Sequence, residues 1–319
     1  MTLVEKALAA PRNLTMDEIR GLLADSDAAK WRGVFAAAQA VKAKCGKTEV
    51  LPRGLIECSN VCAKNCLYCG IRSGNQNLSR YRISEAEAAK LIEEARRRGY
   101  PAVAFQAGEI ESEENTAYYE RLLAKCRGLE VTLSLGEQTE AVYRRWKAAG
   151  AMRYLIRIET SNRELYAQIH PSVCSFDRRV ECIRTLKRLK YVTGTGVMIG
   201  LPGQTTDDLA RDIIFFGEEK VDMVGMGPYI PHPDAPLSAR GRSFSDDEVM
   251  DLSLKMIALT RLYLWDVNIV SATALEVLDR ENGRARGLAA GANVVMPNLT
   301  SAEHRELYDL YPGKGLNML

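Results

Sequence analysis

Short apolar runs alternate with longer amphipathic stretches along most of this chain. From residue 51 onward the apolar runs fall at residues 54–58, 102–107, 131–135, 154–159, 194–199, 223–227, 268–271 and 293–296. Each has the length of a buried strand. Between them, residues 85–98, 115–127, 140–149, 177–189, 206–219, 246–264 and 276–290 are amphipathic and predict helices. Strand and helix alternating at this period imply a parallel sheet with right-handed crossovers. Eight such units predict an α/β fold, a closed (β/α)8 barrel of TIM type with its reactive groups at the carboxyl ends of the strands. An open, doubly wound sheet is the alternative. Residues 1–50 read differently: Thr15-Met-Asp-Glu18 has capping-box form, and residues 31–44 are alanine-rich with helical spacing. The expected organisation is an N-terminal helical extension, 1–50, followed by a single barrel domain, 51–319.

Composition narrows the function classes. With 46% hydrophobic and 26% charged residues the chain reads as an ordinary globular protein. A net charge of +2 gives no electrostatic reason to expect nucleic acid or an anionic membrane as partner. No apolar run reaches the roughly 18 residues of a membrane span. The start, Met1-Thr-Leu-Val-Glu-Lys6, lacks the layout of a secretory signal. Eight cysteines are too sparse for a disulfide scaffold, and three of them cluster, so the expected compartment is the reducing cytoplasm.

That cluster, Cys62-Ala-Lys-Asn-Cys66-Leu-Tyr-Cys69, follows directly on the first strand. Three thiolates at spacings of four and three can hold one face of a cubane iron–sulfur cluster from a single loop. A cluster that only carries electrons takes four ligands. With three, one iron stays open for a substrate or cofactor. Zinc on three cysteines and a histidine is the competing reading, but His170, His232 and His304 are all remote in sequence. A metal-free surface cluster would invite oxidation. Cys58, on the strand itself, and the scattered Cys45, Cys126, Cys174 and Cys182 are expected to be structural.

Alternation sorts the strand side chains by face. On the fourth strand Leu155, Arg157 and Glu159 share one face, and Tyr154, Ile156 and Ile158 share the other. The apolar set suits the helix layer, which leaves Arg157 and Glu159 in the lumen, either as a structural ion pair or as holders of a charged ligand. Thr132 and Ser134 share a face in the same way. Together with Gln106, Ser271 and Thr273 these residues make the interior too polar for a barrel packed only for stability. The lumen therefore reads as a cavity for a small polar or anionic ligand. Gly196-Val-Met198-Ile-Gly200 gives a glycine-rich strand end where backbone can approach a nucleoside closely.

The C-x3-C-x2-C pattern, with an aromatic residue before its last cysteine, resembles the radical S-adenosylmethionine (SAM) superfamily. The resemblance implies that Cys62, Cys66 and Cys69 hold a [4Fe-4S] cluster whose open iron is chelated by SAM. One-electron reduction then releases methionine and a 5′-deoxyadenosyl radical. Tyr68 would lie beside the adenine. Gln106-Ala-Gly108-Glu109 resembles the superfamily's turn that engages the SAM ammonium. Longer segments, among them Arg53-Gly-Leu-Ile-Glu57, Thr132-Leu-Ser-Leu-Gly-Glu137, Gly200-Leu-Pro-Gly-Gln-Thr205 and Tyr308-Asp-Leu-Tyr-Pro-Gly-Lys314, are similar to the HydE family of [FeFe]-hydrogenase maturases.

That likeness places Glu159 and Arg179 on SAM and Arg157 and Thr273 at lumen anion positions. It sets Tyr308 or Tyr311 near the cavity mouth as candidate catalytic tyrosines; the polar-lumen reading adds Ser271 beside Thr273 on the substrate. It also implies a small anionic or organometallic substrate, a flavodoxin- or ferredoxin-type reductant and other hydrogenase maturases as partners. Three departures stand out: Ile158 where the family often has histidine, Ser271-Ala-Thr-Ala-Leu275 in place of Ala-Thr-Thr-Ala-Met, and no C-terminal cysteines for a second cluster. A paralogue acting on another thiol, a methylornithine-synthase-like mutase, biotin synthase and a non-catalytic iron–sulfur carrier are the competing classes. Biotin synthase needs inner-strand cysteines that strands two, three and five do not carry.

Overall fold

The computed structural model describes residues 2–314. Met1 and residues 315–319, on which the readings of the leader and of the missing C-terminal cysteines partly rest, lie outside the described residues. The strands are β1 (Leu51–Ser59), β2 (Ala102–Ala107), β3 (Glu130–Ser134), β4 (Arg153–Leu155), β5 (Val192–Thr195), β6 (Met198–Ile199), β7 (Met223–Pro228), β8 (Asn268–Ser271) and β9 (Val294–Val295). Every pairing between them is parallel, and β5 and β6 both pair with β7, as two halves of one stave. The sheet therefore closes as an eight-stave barrel, the TIM-type (β/α)8 fold that the alternation predicts.

Three helices precede the barrel: α1 (Leu3–Ala9), α2 (Met16–Ala24) and α3 (Ala28–Lys44). The remainder are α4 (Glu85–Arg97), α5 (Glu113–Lys125), α6 (Glu140–Ala148), α7 (Arg163–Ile169), α8 (Phe176–Arg188), α9 (Thr206–Glu218), α10 (Asp246–Leu264), α11 (Leu275–Leu278), α12 (Gly283–Ala290) and α13 (Ala302–Leu307). The capping box at α2 forms, with Glu18 N donating to Thr15 Oγ1 at 3.3 Å and Thr15 N to Glu18 Oε2 at 2.7 Å. Helix α2 rests on α9, and α3 on α10 and α12, outside the barrel wall. The main core lies between strands and outer helices. There Tyr154 packs against Tyr143, Trp146 and Tyr191, with Ile158 fully buried. No helix among the described residues is long and apolar enough to cross a membrane.

Three elements depart from the periodicity. The fourth strand ends at Leu155, not at residue 159, and beyond it Glu159 takes a left-handed backbone with φ 67°. The fifth run splits at Gly196, where a Cβ would collide with the Gly225 backbone. The helix expected over residues 276–290 is broken into α11 and α12 by a turn in which Asn282 N donates to Asp279 Oδ1 at 3.0 Å. Helix α7 escapes periodicity because it has only seven residues, started by Asn162 capping Glu164 N at 2.9 Å. Beyond α13 the chain crosses the barrel mouth. Leu307 O accepts from Asn60 Nδ2 (2.8 Å), Leu310 O accepts from Gly70 N (3.1 Å), and Asp309 meets His232 Nε2 at 2.9 Å.

Candidate active site

The loop leaving β1 carries Cys62, Cys66 and Cys69 and has no regular structure of its own. Its backbone carbonyls need partners, and Arg80 supplies them, donating to Asn60 (2.7 Å), Ile71 (2.8 Å), Arg72 (2.6 Å) and Asn75 (3.2 Å). Asn65 Oδ1 accepts from Arg72 (2.8 Å) and Gly74 N (3.1 Å), which closes the turn. The end of β2 presses on this loop at Gly108, where a Cβ would lie 2.7 Å from the Cys62 Cβ. That approach lets Glu109 N donate to Cys62 Sγ at 3.3 Å.

The three sulfurs line a cavity of about 320 Å³ in the barrel mouth. Burial pushes the Cys62 thiol up and the Cys69 thiol up to about 12. Cys66 is raised first by its hydrogen bond with Cys174 and then by burial. Thiols held this way stay protonated until a cation takes them as thiolates. Cys174, expected to be a structural bystander, is thus buried beside a member of the triad. His170 and His232, remote in sequence, also fold back against the loop: His170 meets the Tyr68 hydroxyl and His232 abuts Gly70. Among the described residues no group of three His, Cys, Asp or Glu side chains is placed to hold a single metal ion.

Charged side chains chain together across the cavity wall. Lys64 Nζ bridges Glu109 (3.1 Å) and Glu137 (3.3 Å). Glu137 Oε1 accepts from Arg179 Nε at 2.6 Å, and Arg179 Nη1 donates to the Arg157 carbonyl at 2.6 Å. Arg157 Nη2 donates to Val197 O at 2.8 Å and lies 3.0 Å from Glu159 Oε2. Burial raises Glu109 and Glu159 above the usual carboxylate range. Burial also opposes the charge on Glu137, but Arg179 and Lys64 outweigh it and hold that carboxyl low. Arg157 Nε and Thr132 Oγ1 are buried and have no hydrogen-bond partner in the protein, and Glu159 Oε2 has only its ion pair with Arg157. Deeper in the lumen Arg53 is 5% exposed and donates to the Met223 thioether at 3.1 Å. Burial pushes its guanidinium down to about 10; Glu130, the acid that offsets this, is itself paired with Arg153 at 2.5 Å.

All of the sequence-derived site residues line this one cavity: the cysteine triad with Tyr68; Gln106, Gly108 and Glu109; Ser134; Arg157, Glu159 and Arg179; Met198; Ser271 and Thr273; Tyr308 and Tyr311. At the substrate end, Ser271 and Thr273 already have partners within the protein. The Ser271 hydroxyl donates to the Arg284 carbonyl at 2.9 Å, which turns it toward α12, and Thr273 Oγ1 meets the Tyr311 hydroxyl at 3.1 Å. Sequence reasoning assigned no role to Lys64, Glu137, Arg53 or the buried Glu57–Lys314 pair. For all of them a signal existed, since each is a charged residue inside a quoted motif.

The donor set suits a cluster and a zwitterionic nucleoside: three thiols facing one cavity, a glycine cradle at Gly108, and beside them a carboxylate oxygen held only by its ion pair and an unpartnered guanidinium nitrogen. A (β/α)8 barrel with a three-cysteine loop after its first strand defines the radical SAM class of enzyme. The Radical SAM superfamily model matches residues 56–216, and the chain belongs to that superfamily, with a [4Fe-4S] cluster and SAM as its cofactors. Over 309 residues it is 43% identical to the [FeFe] hydrogenase maturase subunit HydE of Thermotoga maritima, covering 95% of this chain and 85% of that one, so within the superfamily it falls in the HydE family. The 3-methylornithine synthase of Methanosarcina acetivorans is 24% identical over 90% of this chain and 80% of its own. In fold, the chain is similar to the crystal structure of methylornithine synthase (PylB), with a TM-score of 0.82, 23% identity and coverage of 99% and 88%.

Proposed function

We propose that this enzyme acts as a HydE-type maturase, directing an adenosyl radical at the sulfur of a small anionic iron–cysteine substrate during assembly of an [FeFe]-hydrogenase cofactor. With SAM bound, one-electron reduction of the cluster supplies methionine and the 5′-deoxyadenosyl radical. The chain's own residues then have three tasks. Glu109, Glu159 and Arg179 hold the ends of SAM; Arg157 and Thr273 anchor the substrate; the barrel wall excludes water that would compete for the site. The observation that carries the reading is the pair of cations that line the same cavity beyond the thiols, Arg53 buried and Arg157 half-buried beside Glu159. A neutral or cationic substrate would gain nothing from them. A flavodoxin or ferredoxin as reductant, other hydrogenase maturases as partners, and a cytoplasmic setting complete the proposal. All eight cysteines are free thiols, which suits a reducing compartment.

The test is anaerobic incubation of the reduced holoenzyme with SAM and a synthetic iron–cysteine complex bearing CO and CN ligands, followed by mass spectrometry. An adenosylated cysteine-derived product is expected. Rearrangement of lysine, with no adenosylated sulfur product, would replace this reading with the mutase one.

A further inference from the structure

His170 stands at the end of α7, 3% exposed, between two tyrosines. Its ring stacks on Tyr166 with centroids 3.9 Å apart and meets the edge of Tyr68 at 5.4 Å. Nδ1 lies 3.0 Å from the Tyr166 carbonyl, which can only accept, so Nδ1 carries the proton. Burial, reinforced by the nearby Arg179, keeps the ring neutral, and its pKa falls to about 3. Nε2 is then a bare acceptor, and the Tyr68 hydroxyl 3.3 Å away donates to it. The Glu159 carboxylate also lies within reach of that hydroxyl. Tyr68 thus has two buried acceptors to choose between, one of them a ligand-facing carboxylate.

We infer that His170 is a positioning residue for SAM: by accepting a hydrogen bond from the Tyr68 hydroxyl it fixes the Tyr68 ring against the nucleoside and keeps that hydroxyl off Glu159, whose Oε2 then has only the Arg157 guanidinium, 3.0 Å away, to share with the ligand. This rests on the reading that puts Tyr68 and Glu159 on SAM. The carbonyl of Tyr166 sets the tautomer, the tautomer sets the direction of the Tyr68 hydroxyl, and the hydroxyl decides whether Tyr68 competes with the ligand for Glu159.

The test uses anaerobically reconstituted holoenzyme and equilibrium dialysis with labelled SAM and, separately, labelled methionine, which lacks the nucleoside. H170F keeps the ring and its stack but removes both nitrogens. It should weaken SAM roughly five- to tenfold, the worth of one hydrogen bond plus a misdirected carboxylate, and leave methionine binding unchanged. H170Q, whose amide oxygen reaches near the Nε2 position, should stay within about twofold of wild type, since the acceptor is kept. Y68F, which has no hydroxyl to occupy Glu159, should weaken SAM less than H170F does, and the double variant should match Y68F. Wild-type SAM affinity in H170F, an equal loss of methionine, or a loss in H170Q as large as in H170F each overturns the inference. Should H170F not fold, Y68F and H170Q decide it: a weakened Y68F with a near-normal H170Q is expected, and any other pairing refutes it. Failure of the underlying reading looks different, with Y68F and E159Q both binding SAM normally.

Discussion

Replacing Glu137 tests whether the charge chain along the cavity wall is an energetic unit. The Glu137–Arg179 contact is 2.6 Å long, and the two side chains are only 6% and 8% exposed, so solvent and salt screen it little. Losing one partner strands the other charge in a poorly solvated site, which costs roughly 3–5 kcal/mol. In E137A, Arg179 keeps only the Arg157 carbonyl, and Lys64 keeps only Glu109. E137Q retains an acceptor and should lose about 3 kcal/mol, the lower end of that range. Removing the second charge as well, in E137Q/R179Q, should recover part of the loss, with a coupling of about 2 kcal/mol. Urea unfolding of the cluster-free protein at neutral pH measures all four corners of the cycle. Additive effects, with coupling below about 0.5 kcal/mol, would refute the reasoning. The pH dependence has a definite sign. Folding lowers the Glu137 pKa, so the pair's contribution is complete above the ordinary glutamate range and fades as pH falls through the folded value. The gap between wild type and E137Q should therefore persist at mildly alkaline pH and close in acid.

Further outcomes follow from the same geometry. C66A should lose its iron and sulfide, measured chemically after anaerobic purification, and with them all SAM cleavage; cleavage at the wild-type rate would end the cluster assignment. R157A should bind SAM within a few-fold of wild type yet release 5′-deoxyadenosine without product, and a normal product-to-cleavage ratio counts against Arg157 as substrate anchor. Asp212, fully buried and bonded through Oδ1 to Ser161 N and Oγ at 2.6 Å, has its pKa raised to about 7, mainly by burial. An acid whose pKa rises on folding favours the native state while protonated, so stability should decline as pH climbs from about 4 toward 7. D212N should flatten that slope in thermal melts taken at pH 5 and pH 8, and an unchanged slope would assign it to another group.

The barrel was legible because its staves repeat. Each apolar run and each helix face is a local signal, and the ranges for β2, β8 and α10 agree with the periodicity at both ends. The cysteine triad was legible for the same reason, lying within one loop. What escaped depends on backbone geometry or on distant parts of the chain. Glu159 takes a left-handed backbone that no side-chain pattern announces, and the fourth strand stops short of it. Tyr68 and His170 are 102 residues apart, yet α7 delivers the ring to the cluster loop. Glu137 sits in a quoted motif, but its role emerges only when Arg179, 42 positions away, arrives from α8. The Ser271 hydroxyl fits a lumen contact by alternation and is drawn away by the Arg284 carbonyl of α12.

The strap across the barrel mouth has a consequence for biosynthesis. Asn60, just before the first cluster cysteine, is tied to Leu307, 247 positions later, and Gly70, just after the last one, to Leu310. A nascent chain therefore presents its three thiols on the ribosome long before the segment that walls them in has been translated. The wall of the iron site is complete only after residue 310 has been made, and a chain cut short before residue 307 would display a cysteine loop open to any oxidant or stray metal.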